Sequence, residues 1–163
     1  MKQFKEKVTN EYRQHRYEIR ENFTWFENFC KESYSKGNFF DKFSRDYDVL
    51  SGNENEIQEI ISLNYIKSHS YGFRVRPTIK GATDLLRNLY IDQSIRYSYS
   101  KNPNHALIEI LKQVRDNITH HGKFEITSDQ MERNFILVKN CSIILARIIS
   151  FLESSNKADD EKR

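Results

Sequence analysis

The chain has 163 residues, of which 37% are apolar, 30% charged and 13% aromatic, with a formal net charge of +3. That length suits one domain with one core, and a mean hydropathy of −0.78 excludes a polytopic membrane protein. Only five Gly and two Pro occur, and apolar residues do not alternate with polar ones, so the composition predicts an all-α fold rather than a sheet-rich one.

From about Lys2 to Ser35 there is no Gly or Pro, and Ile19, Phe23, Phe26, Cys30 and Tyr34 recur at intervals of three or four. This predicts a long amphipathic first helix ended at Gly37. Trp25 and Phe29 widen its stripe and read as core or dimer contacts, whereas His15, set among charged residues, reads as exposed. Asn38 is expected to cap a short helix through Phe39, Phe40, Phe43 and Tyr47, closed by Ser51 and Gly52. A third helix, about Glu54 to Lys67, follows from Ile57, Ile60, Ile61 and Tyr65. Residues 68–81 contain Pro77 and read as a long loop with an extended piece, and a short helix around Thr83 to Asp92 carries Leu85, Leu86 and Leu89.

The window from Lys67 to Lys101 holds seven cations, Lys67, Arg74, Arg76, Lys80, Arg87, Arg96 and Lys101, against Asp84 and Asp92, a net of +5. Tyr71, Phe73, Tyr90, Tyr97 and Tyr99 are interleaved with them. Cations and aromatics mixed in this way suit single-stranded RNA, whose phosphates and base faces are both contacted, with Arg74, Arg76 and Lys80 as the candidate RNA-binding residues. The competing reading is a solvated loop whose aromatics tuck into the core.

Near Pro103, Asn102 or Asn104 opens a helix whose Leu107, Ile110, Leu111, Val114 and Ile118 share a face. It leads into Arg115-Asp116-Asn117-Ile118-Thr119-His120-His121-Gly122-Lys123. Arginine carries a permanent charge and several donors for phosphate oxygens, and histidine exchanges protons near neutral pH. Helix ends also collect cations against the dipole before stopping at glycine, so the cluster has a purely structural reading too. Five positions separate Arg115 from His120 by about 140° around an ideal helix, so a shared phosphate within one chain requires the helix to end or bend near Thr119. Beyond the loop, Thr127 and Gln130 form a capping box, and Met131, Phe135, Val138, Leu145, Ile148 and Leu152 run down a last long helix. The domain is expected to span residues 1–153, and the polar tail 154–163 to be disordered.

The stretch ILKQVRDNITHHGK, from Ile110 to Lys123, resembles the signature of the HEPN superfamily, the higher eukaryotes and prokaryotes nucleotide-binding domains. In that pattern an arginine is followed by a polar residue and, after four to six residues, a histidine; Arg115, Asp116 and His120 fit it. The most similar form continues to His-Gly-Gly-Lys, matched by Asn117, Ile118, His120, Gly122 and Lys123. Thr119 replaces an apolar residue of that form, and His121 replaces its first glycine, which makes it a competitor for the histidine role.

The resemblance implies a helical bundle with a long N-terminal helix and a C-terminal helix after the motif loop. It also implies a metal-independent RNA endonuclease acting as a homodimer, with a composite site in which Arg115 and His120 are catalytic. Asp116, Asn117, His121 and Lys123 would support them. A setting in defence or toxin-type RNA cleavage follows, with an antitoxin or defence-system protein as partner. The toxin branch paired with a nucleotidyltransferase carries a tyrosine two residues after the motif histidine, and here that position is Gly122. The alternative implied by the resemblance is a non-catalytic RNA-binding or assembly module.

Other chemistries lack support. No HExxH or CxxC spacing accompanies the histidines, so no metal and no cofactor is expected, and P-loop, dinucleotide and esterase signatures are absent. Cys30 and Cys141 read as buried free thiols in a reducing compartment. No apolar run approaching ~20 residues is read, and the charged N-terminal stretch lacks a signal core. The expected location is cytoplasmic.

Overall fold

The computed structural model describes residues 2–35, 37–61, 66–67, 74–75, 103–120 and 131–161. These form five helices and one two-residue strand pair: α1 (Lys2–Ser33), α2 (Phe39–Asp46), α3 (Glu54–Ile61), β1 (Ile66–Lys67), β2 (Arg74–Val75), α4 (Pro103–His120) and α5 (Met131–Glu161). The fold is all-α, with α1, α4 and α5 as its main bundle.

α1 runs 32 residues because nothing in it breaks a helix, and its expected stripe is the buried one: Ile19, Phe23, Phe26 and Cys30, joined by Tyr12. His15 is not the exposed residue its neighbours suggest. Its ring meets Phe135 edge-on at 6.1 Å and its Nδ1 is buried, because α5 packs along that side of α1. Phe135 meets His15 and Ser142 meets Glu18, so the two long helices advance in the same direction.

The chain reverses at Gly37 (φ +38) and Asn38 (φ +55), both left-handed. Asn38 accepts the Lys42 N–H through its backbone carbonyl at 3.0 Å, but its side chain makes no capping bond. A capping side chain reaches the first turn from an extended backbone, and the left-handed one denies it that reach. α2 seats Phe40 and Phe43 among the rings of α1: Phe40 stacks on Phe26 at 5.7 Å, and Phe43 meets Phe26 edge-on at 5.0 Å. Trp25 and Phe29 stack on each other, partly buried against this cluster.

The turn into α3 is held by Asp48, whose carboxylate accepts the Leu50 N–H at 2.9 Å and the Ser51 hydroxyl at 2.7 Å. These bonds, from Ser51 first, hold its carboxyl below the usual range against the opposing effect of burial. Val49 N–H donates to Asn104 Oδ1 at 2.9 Å, tying this turn to the start of α4.

α3 ends at Ile61 rather than at the expected Lys67. Ile66 pairs with Val75 and Lys67 with Arg74 in an antiparallel register, and backbone groups committed across a ladder cannot make the i to i−4 bonds of a helix. The expected helix over 83–92 and the capping box at Thr127 and Gln130 lie outside the described residues.

α4 opens on Pro103, where proline's missing N–H is harmless, and buries Leu107, Ile110, Leu111, Val114 and Ile118. It starts beside Asp41 and Val49 and reaches Phe23 and Glu27 at Arg115, so it runs antiparallel to α1.

α5 continues to Glu161, past the Ser154 at which a disordered tail was expected to begin. No Gly or Pro interrupts SSNKADDEK, and propagation adds one hydrogen bond per residue. Its stretch Asn134–Ser155, 22 residues at hydropathy 1.9, is long and apolar enough to cross a membrane, which corrects the reading that no apolar run approaches that length. Within the bundle this stretch is a core element. Asn140 Nδ2 donates to Glu59 at 2.8 Å, and the Ser142 hydroxyl donates to Glu18 at 2.9 Å. Burial disfavours the Glu18 carboxylate, but hydrogen bonds from Gln14 and Ser142 with the nearby His15 outweigh it and lower its pKa.

Cys30 and Cys141 are buried free thiols. Burial pushes both up to about 12.

Candidate functional site

Arg115 projects from α4 into a clamp made by its own helix and by α1. Its Cζ lies 4.4 Å from the centre of the Phe23 ring. Nε pairs with Asp116 Oδ1 at 2.7 Å, and Nη2 lies 3.7 Å from Glu27 Oε2. The side chain remains 18% exposed. The planar guanidinium is therefore oriented on three sides: an aromatic face, a charge-assisted bond and a second carboxylate. Lys31 lies 3.5 Å from Glu27 Oε1, so this carboxylate is shared between two cations.

Asp116 thus acts directly on Arg115, as a partner that fixes its orientation. α4 is helical through Thr119 to His120, its last described residue, and on an ideal helix positions 115 and 120 lie about 140° apart around the axis. The side chains of Asn117 and His120, and the whole of His121 and Lys123, lie outside the described residues. So do Arg76, Lys80 and the Arg74 side chain; the backbone of Arg74 is placed in β2 opposite Lys67.

Phe23 and Glu27 were not legible as members of this site. Phe23 repeats at core spacing, and nothing local marks it as a platform for an arginine 92 positions later in the chain. A second charged cluster at the other end of α4 also escaped sequence reading. His105 Nδ1 lies 3.6 Å from Asp41 Oδ1 and its Nε2 3.4 Å from Glu109 Oε1, while Arg45 pairs with Asp41 at 2.7 Å.

Among the described residues, no three His, Cys, Asp or Glu side chains are arranged to hold a metal ion. A cleft of about 600 Å³ opens between the turn after α2 and the middle of α5, lined by Tyr47, Val49, Asn53, Arg147, Phe151 and neighbours. None of its lining residues belongs to α4, so it is separate from the Arg115 clamp. Comparison of the chain with family models, curated proteins and solved structures gives no match.

Proposed function

We infer that the chain is a HEPN-like, metal-independent RNA endonuclease that works as a homodimer in the cytoplasm. The observation that carries this reading is the Arg115 clamp. A guanidinium oriented by Phe23, Asp116 and Glu27, yet still reached by solvent, is preorganised to meet charge that develops on a phosphate. The Arg115-x4-His120 spacing supplies the proton-transfer group.

In the proposed reaction the ribose 2′-oxygen bonds to the adjacent phosphorus and gives up its proton to an imidazole. The bond to the 5′-oxygen breaks, and that oxygen takes a proton from a second imidazole. The products are a 2′,3′-cyclic phosphate and a 5′-hydroxyl. Two imidazoles and two guanidiniums come together when two copies face each other with their motifs, which makes the dimer part of the mechanism. Lys123 and Asn117 add phosphate contacts, and the basic window with Arg74, Arg76 and Lys80 adds RNA affinity. An antitoxin or defence-system protein is the partner class this activity calls for.

The non-catalytic RNA-binding or assembly reading is favoured by one observation: two carboxylates already accompany Arg115. Incubation of RNA with the protein in EDTA separates the readings. Cleavage that leaves cyclic phosphate ends, abolished in His120→Ala and reduced less in His121→Ala, supports the nuclease. RNA lacking 2′-hydroxyls resists it. Intact RNA after incubation with a verified dimer overturns it, and cleavage lost in His121→Ala but kept in His120→Ala reassigns the histidine.

A further inference from the structure

One face of α1 carries charge that the core and the Arg115 clamp do not use. Asn10, Arg13, Arg16, Tyr17, Arg20 and Thr24 follow at three- and four-residue spacing and share an arc about 120° wide. Between Asn10 and Thr24 the arc holds three arginines and no carboxylate, and Glu27 of the clamp follows on it about one turn later. All six residues are exposed except Arg16, which is half-buried. Tyr17, 53% exposed, is one of two large hydrophobic side chains so exposed among the described residues.

These arginines differ from the rest. Arg45, Arg115 and Arg147 each pair with a carboxylate. Arg13, Arg16 and Arg20 form no ion pair among the described residues. The Nε of Arg16 is buried without a hydrogen-bond partner, its guanidinium lying 5.5 Å from the Tyr12 ring centre. Six arginine side chains are described, and the three that form no ion pair among the described residues all sit on this face.

The face also adjoins the candidate site. Arg16 and Arg20 stand two turns before Phe23 and Glu27, on nearly the same bearing around the helix. Because α4 runs antiparallel to α1, its course from Arg115 to His120 heads toward the Arg16 and Arg20 turns.

We propose that this face of α1 is a docking track for single-stranded RNA, in which Arg13, Arg16 and Arg20 meet successive phosphates and Tyr17 stacks on a base. The three arginines span about 10 Å of helix axis, and guanidiniums interleaved with an exposed ring match a strand that offers both phosphates and base faces. A membrane surface calls for a broad apolar face, and a protein partner for a cluster of apolar anchors. This face offers one aromatic ring. That the track feeds a cleavage site rests on the nuclease reading; the binding does not.

The test is fluorescence anisotropy of a labelled oligouridine 12-mer with the full chain between 50 and 200 mM NaCl. Arg13→Glu/Arg20→Glu should weaken binding at least tenfold at 100 mM salt and flatten the log-log salt slope by about 1.4, near 0.7 for each lost phosphate contact. Tyr17→Ala should weaken binding about fivefold or more while keeping the slope. If the charge-reversed chain loses its helical circular dichroism, Arg13→Gln/Arg20→Gln replaces it, with the same direction expected. Unchanged affinity in a folded double variant overturns the track, as does tighter binding to phosphatidylserine vesicles than to RNA. Cleavage is read separately on a dinucleotide too short to span the track. Cleavage of the dinucleotide alongside unchanged 12-mer affinity in the double variant sinks the track alone, whereas track-dependent binding without any cleavage sinks the nuclease alone.

Discussion

Arg115→Ala tests the clamp directly, because its structural and catalytic consequences have different sizes. The ring contact with Phe23 at 4.4 Å is worth about 0.5–2 kcal/mol when partly desolvated. The bond to Asp116 at 2.7 Å and the looser pair with Glu27 at 3.7 Å involve side chains 28% and 23% exposed, so solvent screening holds each to about 1 kcal/mol or less. Contributions of this kind add imperfectly. The expected loss is about 1.5–3 kcal/mol, and for a chain of this size each kcal/mol lowers Tm by about 2–4 °C. The variant therefore stays folded at 25 °C.

Arg115→Lys keeps the charge but loses the planar stacking and the fork, with an expected loss near 1 kcal/mol. Thermal melts by circular dichroism give the stability term, and RNA cleavage assayed at 15 °C on folded protein gives the other. If Arg115 stabilises the phosphate in the transition state, Arg115→Ala loses at least about 100-fold in rate, as for removal of a preorganised donor. A Tm within 1 °C of the parent refutes the clamp. Full activity in the folded dimer refutes the mechanism while leaving the clamp intact.

Phe26→Ala should be among the most damaging single changes, since Phe26 is fully buried against Phe23, Phe40 and Phe43; a loss of about 3–5 kcal/mol is expected in urea titration, and less than 1 kcal/mol would contradict this packing. Asp48 has a folded pKa below its unfolded value, so its ionic contribution is full above about pH 5 and fades as pH falls through the folded pKa. The urea midpoint of Asp48→Asn should therefore lie below the parent at pH 7 and approach it at pH 3; a constant gap would mean that the carboxylate charge contributes nothing. The thiols of Cys30 and Cys141 should react with a disulfide reagent at pH 8 only slowly in the native chain and in a two-to-one ratio in urea, because burial keeps both protonated. Rapid native labelling would show the core to be open.

The helices were legible where the sequence repeats an apolar face without a competing demand. Ile19, Phe23, Phe26 and Cys30 repeat on one stripe and are buried on it, and the Leu107 to Ile118 face behaves likewise. Reading failed where a pairing decided the outcome. Ile66 and Lys67 continue the periodicity of α3 but belong to a strand pair with Arg74 and Val75. Asn38 has the side chain of a cap and the backbone of a left-handed turn. The motif was legible as a local spacing, yet what orients Arg115 comes from α1, and no local rule connects Glu27 or Phe23 to it. The arginine face of α1 was present at helical spacing, but its significance depends on which arginines form no ion pair among the described residues, and that is decided by neighbours in space.

The unbroken course of α4 constrains the proposed chemistry. An arginine and a histidine five positions apart on an ideal helix leave it about 140° apart, so one copy of α4, helical through both positions, does not turn both toward a single phosphate. Two antiparallel copies remove the conflict, because the Arg115 of one copy can then face the His120 turn of the other. The nuclease reading thus makes dimerisation a geometric requirement. Mixing Arg115→Ala with His120→Ala protomers tests it: each homodimer should be inactive, while heterodimers regain one Arg115 with one His120. If those two act across the interface, the heterodimer rebuilds one Arg115–His120 pair, each residue from a different protomer, and part of the activity returns. If they act within one chain, the unmutated motif lies split between copies and activity stays absent; the converse mixture is parent with Arg115→Ala/His120→Ala. Its heterodimers hold one complete motif, active if the site is built within a chain and silent if it is built across the two-fold. Activity from those heterodimers would refute the composite site.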